Sequence, residues 1–234
     1  MAQGHAVLWD FDGTLVDTEP YWIEAEFELV EAHGGTWSRE HALELVGNDL
    51  LVSGRYIREH AGIDLEPAEI VERLLDGVIE RVRRQVPWRP GAVELLASLR
   101  TAAVPCVLVT MSYRRFVEPV LAALPPDSFA DLVTGDAVTH GKPHPEPYLR
   151  AAAEVGLPPE RCLAIEDSDT GARSAEAAGC TVLVVPNHVP VAPGTNRIFT
   201  DTLVGMDADA LLQIVAGSRP DPSQTTMTPP TSGE

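Results

Sequence analysis

Three short apolar runs, each breaking off into polar and acidic residues, constrain this chain more than any other feature. Ala6-Val7-Leu8-Trp9 leads into Asp10-Phe11-Asp12-Gly13-Thr14, and Val107-Leu108-Val109 into Thr110-Met111-Ser112. Leu163-Ala164-Ile165 leads into Glu166-Asp167-Ser168-Asp169-Thr170-Gly171. An apolar run this short, bounded by polar residues, reads as a strand buried on both faces, and such strands belong to parallel sheets. The pattern predicts strands over 7–10, 106–110, 132–134, 163–165 and 182–185. Helical stretches fall between most of them, at 92–100, 116–124, 147–155 and 171–178. Alternation of this kind implies an α/β fold, a Rossmann-like parallel sheet with right-handed crossovers. Gly156 and Gly179 supply the glycines that close two of the helices.

The polar residues that end these strands would gather on one edge. Open α/β sheets bind their ligands at the carboxyl ends of the strands. Strand side chains alternate, so Asp10 and Asp12 project to one side while Phe11 turns to the core. Two carboxylates so placed repel each other, which is tolerated where a cation or a reaction needs them. Taken singly, each stretch has a plainer reading. An Asp-x-Asp pair can be a solvated turn, Lys142 a solvated surface lysine, and an acid-rich helix start a response to the helix dipole.

Between the first and second strands the pattern changes. No convincing strand appears from Thr18 to Val86, and helical periodicity predicts helices over 20–32, 38–45, 49–61 and 66–85. In the last of these Ile70, Val71, Leu74, Leu75, Val78 and Val82 share a face. Pro20 suits the first turn of the first. The turn-prone linker Val86-Pro87-Trp88-Arg89-Pro90-Gly91 then returns the chain. The expected organisation is a core of residues 1–16 and 89–216 with an inserted all-helical cap domain at 17–88. Residues 217–234 are rich in Pro, Ser and Thr, with almost nothing to bury, and read as a disordered tail.

Composition narrows the partners. With 17 basic and 35 acidic residues the formal charge is −18, which argues against nucleic acid and anionic membranes. An anionic substrate would therefore need a local positive device, a metal or a lysine. Cys106, Cys162 and Cys180 lie beside strands without a Cys-x-x-Cys pair and read as buried thiols in a reducing cytoplasm. No run approaches a membrane span and no signal pattern opens the chain, so a cytoplasmic location is expected; a monomer is the separate expectation for its assembly. A P-loop fails, because five residues separate Gly135 from Gly141 and Pro143 follows Lys142. The seven histidines are scattered and read as surface or core residues.

Asp10-Phe11-Asp12-Gly13-Thr14 with Asp17-Thr18-Glu19-Pro20 closely resembles the first motif of the haloacid dehalogenase-like superfamily. Thr110-Met111-Ser112, Gly141-Lys142-Pro143 and Glu166-Asp167 resemble its second, third and fourth motifs, in the right order and spanning most of the chain. The resemblance implies a magnesium-dependent phosphatase acting on a small phosphorylated metabolite through an aspartyl-phosphate. Asp10 would be nucleophile and metal ligand, Asp12 general acid/base and, by its backbone carbonyl, a second ligand. Asp167 would be the third ligand, with Glu166 in or near the second shell. Thr110 and Lys142 would hold the transferring phosphoryl oxygens, assisted by backbone amides around Gly13, Thr14 and Met111. A helical cap is also what the resemblance implies at 17–88.

Two other readings compete. A β-phosphoglucomutase-like sugar phosphomutase shares the first motif and the cap, but such mutases carry a histidine where this chain has Trp22. A phospho-acceptor signalling module would also use Asp, Thr and Lys, yet has no use for Asp12 or a large lid. A dehalogenase would lack Asp12. Substrate choice would rest with the cap, where Tyr21, Trp22, Gly47 and Asn48 are the candidates from family-like placement.

Overall fold

A computed structural model describes residues 4–45 and 49–217. The candidate substrate residues Gly47 and Asn48 lie outside the described residues, as does the expected tail beyond Gly217. The core is a six-stranded parallel sheet built from β1 (Ala6–Trp9), β2 (Cys106–Val109), β3 (Asp131–Val133), β4 (Cys162–Glu166), β5 (Thr181–Val184) and β6 (Arg197–Phe199). Spatial order is β3-β2-β1-β4-β5-β6, so β1 is central, with Trp9 in register with Leu108 on one side and Ile165 on the other. The Rossmann-like α/β expectation holds.

Alternation along the strands makes two apolar layers. Val7, Trp9, Leu108, Leu163 and Ile165 face one layer, which α5 (Ala92–Thr101), α6 (Arg114–Leu121) and α9 (Ala208–Gly217) cover with Leu95, Leu99, Phe116 and Leu211. Ala6, Leu8, Val107, Val109 and Ala164 face the other, covered by α7 (Glu146–Glu154) and α8 (Asp169–Ala178) through Tyr148, Ala151, Ala172 and Ala175. The four core strands β1, β2, β4 and β5 are buried at every residue.

Helices α1 (Glu19–Ala32), α2 (Arg39–Leu43), α3 (Leu50–Ala61) and α4 (Pro67–Arg84) fill the segment between β1 and β2. The buried stripe on α4 is the one its periodicity predicts, with Ile79 added. That stripe packs on α1, α3 and α6. Asp49 caps α3 by accepting the amides of Leu51 and Val52 at 2.9 and 3.1 Å. The chain leaves and re-enters the core as two strands of an antiparallel link. Asp17 N donates to Pro87 O at 2.8 Å and Arg89 N to Leu15 O at 3.0 Å.

Among the described residues, one strand and one α-helix go beyond the pattern read from the sequence. The three-residue β6 has too little apolar length to register as a strand. It is held from outside by Arg197, whose guanidinium pairs with Asp169 at 2.6 Å and Glu176 at 2.7 Å on α8. Helix α9 includes Gly217, the first residue assigned to the tail, and buries Ala208, Leu211 and Val215. Its amphipathic signal is short and abuts a stretch of low-complexity sequence.

Candidate active site

The site assembles at the carboxyl ends of β1, β2 and β4. Asp10 directly follows β1, and its amide donates to Ile165 O at 3.0 Å, extending the β1–β4 ladder by one residue. The chain then turns at once, with Leu15 N on Phe11 O at 2.9 Å and Gly13 N on Val16 O at 2.7 Å. Gly13 has φ +90°, and a Cβ there would lie 2.0 Å from Asp167 Oδ2. Only glycine allows this backbone to approach the Asp167 carboxylate so closely. Phe11 turns inward as expected, edge-on to Phe116 at 5.4 Å.

Lys142 comes from the loop before α7 and is the electrostatic centre of the cluster. Its Nζ donates to Asp10 Oδ1 at 2.6 Å, to Glu166 Oε1 at 2.7 Å and to Val109 O at 2.9 Å. Its side chain is 5% exposed. Burial favours the neutral amine, but the carboxylates of Asp10 and Glu166 outweigh it and hold the ammonium above its ordinary range. Glu166 is fully buried and further satisfied by Tyr148 Oη at 2.5 Å and Ser168 Oγ at 3.2 Å. Gly171 makes room for it, since a Cβ there would sit 1.9 Å from Glu166 Oε1.

Asp12 is held differently. Ser112 Oγ donates to its Oδ2 at 2.7 Å, and Thr18 Oγ1 donates to Oδ1. Thr18 is the N-cap of α1 yet makes no capping bond, because its hydroxyl serves Asp12 instead. Burial raises the Asp12 carboxyl to about 6; the two hydroxyls oppose that rise, and Asp10 and Asp17 add to it. Thr110 is buried at the end of β2, its Oγ1 accepting Ser112 N at 3.0 Å. Met111 Sδ accepts the amide of Lys142 at 3.2 Å and so ties this loop to the lysine loop.

Asp10, Glu166 and Asp167 offer carboxylate oxygens that lie within 4.8 Å of one another. Asp167 is pushed up to about 9, first by burial and then by the charges of Asp10 and Glu166. Burial, with Asp10 next, also raises Glu166. Asp10 Oδ2 and Thr14 Oγ1 are buried and have no hydrogen-bond partner among the described residues. A crowded all-oxygen cluster with an orphaned carboxylate oxygen and one ammonium fits a hard divalent cation.

These shifts set a pH dependence. A carboxyl raised in the folded state binds its proton more tightly there than when unfolded, so the fold loses stability as pH rises between the two values. With Asp167 moving from 3.8 to about 9, metal-free protein should lose melting temperature between pH 5 and pH 8. Asp167→Asn should melt higher than the parent at pH 8 in EDTA, and excess magnesium should reverse that order. Equal pH slopes in parent and variant would show that Asp167 is not the strained group.

The other sequence candidates are placed as follows. Asp169, two residues past Asp167 and outside the motif match, is paired with Arg197. Trp22 packs edge-on to Phe116 at 5.5 Å and Tyr21 Oη donates to Gln85 O at 3.1 Å, both half-buried where α1 meets its neighbours. Tyr148, Ser112 and Thr18 were not singled out. Ser112 and Thr18 sit in the motif strings of Thr110 and Asp17, and Tyr148 lies six residues past Lys142 in the following helix.

Residues 5–179 match the family model for haloacid dehalogenase-like hydrolases, and the chain belongs to that family. Hexitol phosphatase B of Escherichia coli strain K12 is 33% identical over 185 residues, 77% of this chain and 83% of that protein. CbbY from Rhodobacter sphaeroides, solved in complex with phosphate, superposes with a TM-score of 0.79 at 29% identity. A CbbY mutant solved with xylulose-(1,5)bisphosphate gives 0.78 at 28% identity, and both matches cover 89% of this chain and 99% of that one. The protein is a hydrolytic enzyme whose relatives include phosphatases.

Proposed function

We propose that this enzyme is a magnesium-dependent phosphatase that hydrolyses a small phosphorylated carbohydrate through an aspartyl-phosphate on Asp10. The observation that carries this reading is the Lys142 ammonium buried between Asp10 and Glu166, with Asp12 held separately by Ser112 and Thr18. A magnesium ion held by Asp10, Asp167 and the Asp12 carbonyl would offset the repulsion between an anionic nucleophile and a phosphate dianion.

The residues then divide the work. The Asp10 carboxylate attacks phosphorus while the bond to the leaving oxygen breaks, and Asp12 gives that oxygen its proton. Water next attacks the acyl phosphate, Asp12 takes the water's proton, and the bond from phosphorus to Asp10 breaks. A carboxyl raised to about 6 is suited to both transfers near neutral pH. Lys142, by turning one of the three N–H groups now on Asp10, Glu166 and Val109 toward the substrate, and the Thr110 hydroxyl hold phosphoryl oxygens in the transition state. Glu166, fixed by Tyr148 and Ser168, keeps Lys142 charged and aimed.

We assign helices α1–α4 the role of a cap that closes over this edge and selects the substrate. The paired linkers at Val16 and Trp88 fit a hinge of limited travel. The carbohydrate class rests on the relatives, one named a hexitol phosphatase and another solved with a sugar bisphosphate. Trp22, packed on Phe116, offers no imidazole where mutase-like enzymes carry one, which favours hydrolysis over phosphoryl return.

The test is a panel of hexitol phosphates, pentulose and hexose phosphates and bisphosphates, scored by released inorganic phosphate. Turnover should concentrate on sugar phosphates, vanish with EDTA and return with magnesium. With β-glucose 1-phosphate and a trace of the 1,6-bisphosphate, glucose 6-phosphate forming faster than free phosphate would overturn hydrolysis in favour of the mutase.

A further inference from the structure

Lys142 is flanked by two histidines that the proposed reaction does not use. The segment Thr139-His140-Gly141-Lys142-Pro143-His144-Pro145-Glu146 leads from the β3 edge into α7. The His140 and His144 rings face each other with centroids 4.6 Å apart and planes inclined by 31°. His140 Nδ1 lies 3.0 Å from Glu146 Oε2, and one donor atom from each of the three residues falls within 4.8 Å of the others. We propose that His140, His144 and Glu146 form a second metal site, specific for zinc and similar first-row transition ions.

Geometry supports it. Two ligands about 2.1 Å from a common ion, at angles of about 90–110°, are separated by roughly 3.0–3.4 Å. The hydrogen bond between His140 Nδ1 and Glu146 Oε2 already spans that width, so an ion would enter by displacing its proton. Glu146 is oriented by backbone donors, Thr139 N on Oε1 at 2.8 Å and His140 N on Oε2 at 2.9 Å; Oε1 keeps a lone pair, and on Oε2 an ion would replace the His140 Nδ1 contact. Chiefly the Thr139 amide, with His140 behind it, holds this carboxyl below its ordinary range, so it is ionised at neutral pH. Such outer support is what ligating carboxylates receive in metal sites.

The backbone is fixed as well. His144 N donates to Gly141 O at 3.0 Å, and Ser174 Oγ on α8 donates to His144 O at 2.6 Å. Lys142 N is held by Met111 Sδ. His144 Nδ1 accepts the amide of Glu146 at 3.2 Å, so this ring offers Nε2 to an ion, and the donors sit on a braced turn that closes by side-chain rotation. Imidazole nitrogens select zinc, copper, nickel or cobalt and are poor ligands for magnesium, whereas the Asp10 cluster is all oxygen. Both sites can be filled at once, and the second would cross-brace the turn that carries Lys142. This inference does not depend on the phosphatase reading.

The test uses the full chain saturated with magnesium and titrated with zinc by calorimetry, and with cobalt by visible absorption. One equivalent of either ion should bind in addition to magnesium, raising the melting temperature. His140→Ala and His144→Ala, each checked for folding by circular dichroism, should weaken zinc binding by about tenfold or more. Asp10→Asn and His60→Ala should leave it unchanged. If one histidine variant fails to fold, the other decides, and the exposed His140→Gln provides a milder substitution. Parent-like zinc affinity in a folded histidine variant, loss of the bound equivalent in Asp10→Asn, or no equivalent bound by the parent would overturn the proposal.

Discussion

Asp10→Asn should fold and bind substrate yet lose about 10³-fold or more in kcat, the scale expected when a covalent nucleophile is removed. The amide can still accept from Lys142 Nζ, now 2.6 Å from Oδ1, so the packing of the cluster survives. It cannot form an acyl phosphate. Removing the Asp10 charge also relieves Asp167 and Glu166, both raised in part by that charge. The variant's melting temperature in EDTA should therefore match or exceed the parent's. Phosphate release on the preferred substrate and a parallel melt measure both. Retention of more than about a tenth of parental kcat would remove Asp10 from the nucleophile's role.

Lys142→Met carries the second large effect, and it strikes activity and stability together. Loss of the ammonium removes a donor to the developing phosphoryl charge, and kcat should fall by about 10²–10³-fold. It also strands Asp10 and Glu166 at the end of the sheet without their counter-charge. Breaking a buried pair from one side typically costs about 3–5 kcal/mol. That loss should depend on pH. The Glu166 carboxyl is already raised in the folded state and rises further without the lysine, so its protonation at lower pH relieves the strain. The stability deficit should be larger at pH 8 than at pH 5. Magnesium should recover part of the melting temperature and little of the turnover. A variant within tenfold of parental kcat, or with a deficit independent of pH, would show that Lys142 serves neither purpose.

Much of the fold was legible because it is written in local pattern. Burial on both faces demands continuous apolar strands, and β1, β2, β4 and β5 show them. The α4 stripe likewise appears where its 3.6-residue period places it. What escaped lacks a local pattern. β6 depends on Arg197 reaching Asp169 and Glu176, more than twenty residues away. Thr18 reads as a helix cap by position, and only its proximity to Asp12 shows where the hydroxyl is spent.

The sequence by itself determined the parallel sheet, the helical insert and the strand-end residues Asp10, Thr110 and Glu166 that the sheet carries to one edge. Those follow from periodicity and from where apolar runs stop, which are properties of neighbouring residues. Tertiary structure alone decided how those residues are used. It set Lys142 between two carboxylates that lie 132 and 24 positions away. It also enlisted Tyr148 and Gly171 to hold Glu166, left Asp10 Oδ2 without a partner, and raised Asp12 and Asp167 by burial. Charge interactions and desolvation depend on distance in space, and the order of residues along a chain does not carry that distance.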